Sequence, residues 1–185
     1  MTPKVILGVD PGTNLMGWAI LSVGASGLKP LEIGVLELSK TKDPFAKLQR
    51  IFEEMSLIIA KYTPDELAIE APFYGKNVQS MLKLGRAQGM AIAAALAHRM
   101  PVFEYAPRKV KLAITGRGAA SKEQVAVMLQ KTIKMVKVPV QWDETDALAV
   151  AVCHHYQSTS VLPGTPGPKS WEAFVAQNRS RVSSL

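Results

Sequence analysis

Lys4-Val-Ile-Leu-Gly-Val-Asp10-Pro-Gly-Thr13 decides the reading of this chain. An apolar run stops on an acid, and a proline–glycine pair then turns the backbone. That is a strand delivering a carboxylate into a turn. Two further strand candidates follow, Gly17–Val23 and Leu31–Leu38, separated by the glycine- and serine-containing stretch 24–30. The three together fit an antiparallel meander.

The period then changes. Phe45, Leu48, Phe52, Met55, Ile59 and Tyr62 recur at three- and four-residue steps, which predicts a helix over Pro44–Tyr62. Asp43 before Pro44 reads as an N-cap followed by proline in the first helical position. Leu67–Ile69 reads as a short buried strand ending on Glu70. Val78–Met100 reads as a long helix, Val102–Tyr105 as a strand and Lys109–Ile114 as a short helix. Gly116-Arg117-Gly118 is a loop. Ser121 caps a helix that runs to about Ile133, and Asp143–Tyr156 is the last strong helix. Strands first, then strand and helix in alternation, predict an α/β fold: a mixed five-stranded sheet with helices on its faces.

The chain has 185 residues, enough for one domain with a substantial core. Residues 1–156 are expected to form that domain. The breaker cluster from Pro163 to Pro168 marks 157–185 as a flexible C-terminal extension. One cysteine, Cys153, excludes an intrachain disulfide, and no apolar run approaches the roughly 20 residues of a membrane span. The expected address is cytoplasmic. Lys and Arg number 22 against 15 Asp and Glu, a net charge of +7, and most of the excess lies within residues 1–156. Such a charge attracts polyanions, nucleic acid first.

The acids carry the chemistry. Asp10 and Glu70 each end an apolar strand, and Asp143 and Asp146 open the last helix three residues apart, on one face. If the first and fourth strands are parallel neighbours, Asp10 and Glu70 stand side by side, and a helix crossing there adds Asp143 and Asp146. Clustered carboxylates stay ionised only when a cation compensates them, and all-oxygen ligands suit Mg²⁺ or Mn²⁺. Two such ions can clamp a phosphodiester. The plainer reading makes Asp10-Pro-Gly a turn and Asp143 and Asp146 helix-capping acids. His98, His154 and His155 form no ligand spacing with the cysteine and read as helix-surface residues. No zinc motif, P-loop or nucleophile elbow occurs.

Eight segments in order resemble the RuvC family of Holliday junction resolvases. They are Gly8-Val-Asp-Pro-Gly-Thr13, Ala68-Ile-Glu70, Lys76-Asn77, Leu82-Lys-Leu-Gly85, Pro101-Val-Phe-Glu-Tyr105, Val110-Lys111, Thr115-Gly-Arg-Gly118 and Asp143-x-x-Asp-Ala-Leu-Ala149. The resemblance implies a ribonuclease H-like fold, a homodimer, and divalent-metal cleavage of four-way DNA junctions in recombination and repair. It implies Asp10, Glu70, Asp143 and Asp146 as metal-binding catalytic acids, with Mg²⁺, replaceable by Mn²⁺, in two ions per site. Phe73 corresponds to an aromatic that stacks on an unpaired base, and Lys111 and Lys122 to basic residues near the scissile phosphate. Tyr74, Lys76, Lys83 and Arg86 are further candidate DNA contacts. A branch-migration motor of the RuvA/RuvB type is the implied protein partner. Gly85-Arg-Ala-Gln-Gly89 departs from the family's Gly-x-Ala-Arg-Gly form, its arginine standing two positions early.

Gly85, Gly89, Ala93 and Ala97 form a small-residue stripe on the long helix, suited either to a dimer seam or to packing on the sheet. Three other readings stay open on sequence: an actin-like ATPase, a ribonuclease H-like nuclease acting on another structured nucleic acid, and a catalytically silent junction-binding module. A single Asp-x-Gly in so short a chain argues against the first.

Overall fold

A computed structural model describes residues 2–72, 77–133 and 142–159, with the side chains of Trp142 and Asp143 excepted. Five strands, β1 (Lys4–Asp10), β2 (Leu15–Gly24), β3 (Gly27–Glu37), β4 (Glu66–Glu70) and β5 (Val102–Tyr105), form one sheet in the order β3-β2-β1-β4-β5. β1 pairs antiparallel with β2 and parallel with β4, and β4 pairs parallel with β5. This is the mixed five-stranded sheet expected. The meander differs in one detail. β2 continues to Gly24 and β3 restarts at Gly27, whose φ of 99° turns the chain tightly, so most of the stretch 24–30 is strand. β3 lies on the sheet edge, where Pro30 needs no second ladder partner.

Alternation along the strands splits the core in two. Val5, Leu7 and Val9 of β1 and Leu67 and Ile69 of β4 face α1 (Pro44–Tyr62) and α2 (Val78–Ala97). Ile6 and Ala68 face α5 (Trp142–Thr159), with α3 (Pro107–Thr115) and α4 (Lys122–Ile133) packed beyond it. Asp43 caps α1, its carboxylate accepting from the Ala46 N–H at 2.6 Å. α2 stops at Ala97 and not at Met100, because Arg99 adopts a left-handed φ of 57° that ends helical pairing. Its small-residue stripe points away from the sheet. Ala87, Gln88, Ala91, Ala94 and Ala95 are the buried side, and a Cβ at Gly85 or Gly89 would meet nothing within 4 Å. Among the described residues no helix is long and apolar enough to cross a membrane.

Gly8 fixes how close α5 comes. A methyl group there would run into the Ala147 carbonyl and lie 2.9 Å from the Ala151 Cβ. Glycine therefore lets the helix rest directly on the middle strand. Two residues further along β1, on the same face, stands Asp10.

Candidate active site

Val9 pairs with Ile69 in the parallel register of β1 and β4, so the next residues of the two strands, Asp10 and Glu70, leave the sheet side by side. Adjacent strands sit roughly 4.8 Å apart. Both residues share the parity of Gly8 and Ala68, so both side chains emerge on the α5 face. α5 enters above them and contributes Asp146. The three acids line one cavity of about 740 Å³. The convergence argued from sequence thus holds for Asp10, Glu70 and Asp146. Asp143 lies one turn earlier on α5, and its side chain is outside the described residues.

The cavity is not simply acidic. Arg108 and Lys111 of α3 and Lys122 at the start of α4 line it as well. Lys122 Nζ donates to Asp146 Oδ2 at 2.5 Å. Glu70 carries the electrostatic strain. Burial, then the charge of Asp146, raises its carboxyl from the usual range to about 7, although Lys122 and Lys111 pull it back. Among the described residues no three His, Cys, Asp or Glu side chains form a ready metal cage. What the structure shows is three carboxylates and three cationic side chains lining one cavity.

Arg108 was not singled out from sequence. Its signal is there: Arg108 and Lys111 are three residues apart on one helix, hence on one face. Gly118 makes room for it, since a Cβ would sit 2.7 Å from the Arg108 Cγ. Gln88 is a second such residue. It occupies the position at which the family form carries arginine and is buried. Its amide nitrogen donates to the Glu70 main-chain carbonyl at 3.2 Å and to the Glu104 carboxylate at 2.7 Å, tying α2 to the end of β4.

Lys83 and Arg86 stand apart from the acids. With Lys42 and Lys47 they line a groove of about 450 Å³ between α1, α2 and the β1–β2 turn, whose lining includes no acid. Lys47 donates to the Thr13 carbonyl at 3.1 Å. Phe73, Tyr74 and Lys76 lie outside the described residues, as do 160–185. Pro72, just before Phe73, lines the acid-bearing cavity. The histidine reading needs correction. His154 is only 1% exposed and bonds on both ring nitrogens, because α5 turns it inward against β4 and β5.

A protein-family model described as "Crossover junction endodeoxyribonuclease RuvC" matches residues 6–154. The chain is 52% identical to the crossover junction endodeoxyribonuclease RuvC of Cytophaga hutchinsonii, covering 98% of this chain and 90% of that protein. It is 51% identical to the protein of the same name from Christiangramia forsetii, over 97% and 93% of the two chains. Among solved structures it superposes on Thermus thermophilus RuvC in complex with Holliday junction substrate with a TM-score of 0.78. The identity is 29%, over 84% of this chain and 94% of that one.

Proposed function

The chain belongs to the RuvC family of crossover junction endodeoxyribonucleases, with its ribonuclease H-like fold, and on that premise we propose how its residues resolve a four-way DNA junction. The reading is a structure-selective, divalent-metal-dependent endonuclease that makes paired symmetric nicks. One observation carries it: Asp10, Glu70 and Asp146 converge on a single cavity faced by Arg108, Lys111 and Lys122.

The donor set fits a hard divalent cation. All its donors are carboxylate oxygens, and Glu70 is held near neutral pH by burial and by the charge of Asp146. Asp10, Glu70, Asp143 and Asp146 are the proposed ligands, with Mg²⁺ as the ion, Mn²⁺ able to substitute, and two ions per site. Bound there, the metal supplies Lewis-acid charge that favours water as nucleophile and offsets charge on the leaving oxygen. The side chains do the rest. Lys122, Lys111 and Arg108 hold and neutralise the scissile phosphate. Water adds to phosphorus as the bond to the 3′ oxygen breaks, and that oxygen takes up a proton. The products are a 5′-phosphate and a 3′-hydroxyl. Phe73, one residue beyond cavity-lining Pro72, is assigned to stack on a base unpaired at the crossover, an interaction worth roughly 1–3 kcal/mol. Tyr74 and Lys76 belong to the same segment of the proposed interface.

Lys83 and Arg86, joined by Lys42 and Lys47, would follow the phosphates of a junction arm along their acid-free groove. A homodimer matches the two-fold symmetry of an open junction and presents two active sites to strands of like polarity. The outward stripe of Gly85 and Gly89 supports α2 as its seam. The reading assigns the nuclease to residues 1–156 and treats 157–185 as an extension. It includes a cytoplasmic setting and a branch-migration motor of the RuvA/RuvB type as partner. The test is Asp10→Asn on a synthetic four-way junction with Mg²⁺. Cleavage should be lost while junction binding survives, and full cleavage by the variant would overturn the assignment.

A further inference from the structure

The end of α5 remote from the acids holds a buried polar cluster that the chemistry above does not use. His154 Nε2 lies 2.5 Å from Glu66 Oε2, and the Tyr105 hydroxyl lies 2.7 Å from His154 Nδ1. Lys4 Nζ reaches the same Glu66 oxygen at 2.6 Å, and the Phe103 ring packs 4.5 Å from the imidazole. Burial alone would push the Glu66 carboxyl upward, yet the bonds from His154 and Lys4 hold it below the ordinary value, so it stays ionised. Burial raises Tyr105, which stays protonated. One arrangement then satisfies every group: Tyr105 O–H donates to Nδ1, and Nε2–H donates to the Glu66 carboxylate.

The spacing connects this cluster to the active site. Glu66 and Glu70 are four residues apart on one face of β4, a separation of about 13 Å at roughly 3.3 Å per residue. His154 and Asp146 are eight residues apart on α5, about 12 Å at 1.5 Å per residue. The helix runs antiparallel over the strand, since Asp146 stands by Glu70 and His154 by Glu66. Strand and helix thus meet at two matching points, one acid pair and one hydrogen-bonded anchor.

We propose that the Glu66–His154–Tyr105 cluster is a positioning device that sets the axial register of α5 on β4, and thereby holds Asp146 opposite Glu70 for metal binding. It rests on the reading of the four acids as a metal site. Ala147 and Ala151 lie over Gly8, and small contacts of that kind resist sliding weakly. A directional bond from a side chain at 1% exposure resists it strongly, because a shift of one residue would leave the buried His154 Nε2 without its Glu66 partner.

The test is a calorimetric titration with Mn²⁺ of the full chain, its His154→Ala and His154→Gln variants, and an Ile51→Ala control. Ile51 is buried on the opposite face of the sheet, so its loss destabilises the protein without touching α5. His154→Ala should weaken Mn²⁺ binding by about tenfold or more. His154→Gln, whose amide can still donate to Glu66, should recover most of that loss, and Ile51→Ala should stay within about twofold of wild type. Mn²⁺ binding by His154→Ala as tight as by Ile51→Ala, with both folded, would overturn the proposal. If His154→Ala does not fold, Tyr105→Phe, which removes one bond from the ring, carries the same prediction at smaller size. An absence of Mn²⁺ binding to the wild-type chain would instead defeat the metal-site reading on which the proposal stands.

Discussion

Gly8→Ala is the smallest change that should disable the enzyme without touching a charged group. Gly8 lies in the middle of β1, paired on both sides, with Ala19 and Ala68 as partners. It is not among the glycines with positive φ, so alanine meets no backbone strain there. The obstacle is α5. The new methyl would stand 2.9 Å from the Ala151 Cβ and 3.0 Å from its nitrogen, and would press on the Ala147 carbonyl. Ordinary contact begins near 3.5 Å, so the helix must retreat by about 1 Å. Overpacking of this kind costs roughly 1–3 kcal/mol, so the variant should fold with a lowered Tm. The greater effect is on chemistry. Asp146 precedes Ala147 and travels with the helix, away from Asp10 and Glu70. A 1 Å misplacement in a catalytic constellation costs on the order of 100-fold. The assay is single-turnover nicking of a synthetic four-way junction at saturating protein. Gly24→Ala is the control, because its Cβ would lie 3.5 Å from Pro3, an ordinary contact. A folded Gly8→Ala protein that nicks within about threefold of wild type would refute the argument that α5 seating sets the site.

Four further outcomes follow from the electrostatics. Because Glu70 sits at about 7 in the metal-free protein, Mn²⁺ binding should release close to one proton below that pH and almost none above it; calorimetry in buffers of different ionisation enthalpy measures this. The same raised value has a stability sign: the folded state holds the proton more tightly, so the metal-free Tm should fall as pH rises from the ordinary carboxylate range through about 7, and an unchanged Tm would contradict it. Lys122→Met removes the ion pair to Asp146 and a cation that pulls Glu70 downward, so the proton-release midpoint should move up, and cleavage of bound junction should fall on the order of 100-fold. Replacing Lys83 and Arg86 together by alanine should lower the slope of log affinity against log salt by about two, and an unaltered slope would remove the groove from the DNA path.

Most of the scaffold was readable because it rests on local chemistry. Pro44 after Asp43 fixed the start of α1, and the three- and four-residue apolar step set that helix apart from the strands before it. The carboxylate convergence was readable for a topological reason. Acids at the carboxyl ends of two parallel neighbours emerge together, and a helix opening with acids could cross there; that α5 does so and adds Asp146 comes from the fold. What escaped depends on partners far apart in sequence. His154 reads as a surface residue on its own helix, and only the fold brings it to Glu66, 88 positions away. The direction of the α2 stripe was equally hidden. Alanines occupy both sides of that helix, and the sheet takes the side of Ala87, Ala91 and Ala94. Gln88 was masked by comparison with a motif that expects arginine, although its buried amide grips the backbone of Glu70.

The central claim is that Asp10, Glu70, Asp143 and Asp146 form one cation-binding pocket at the carboxyl end of the sheet. Crystals of the chain soaked in MnCl₂ and measured at the manganese edge test it directly. Anomalous density should appear between Asp10, Glu70 and the start of α5, with Asp143 and Asp146 among the ligands. Density elsewhere on the molecule, with none at that pocket, would contradict it.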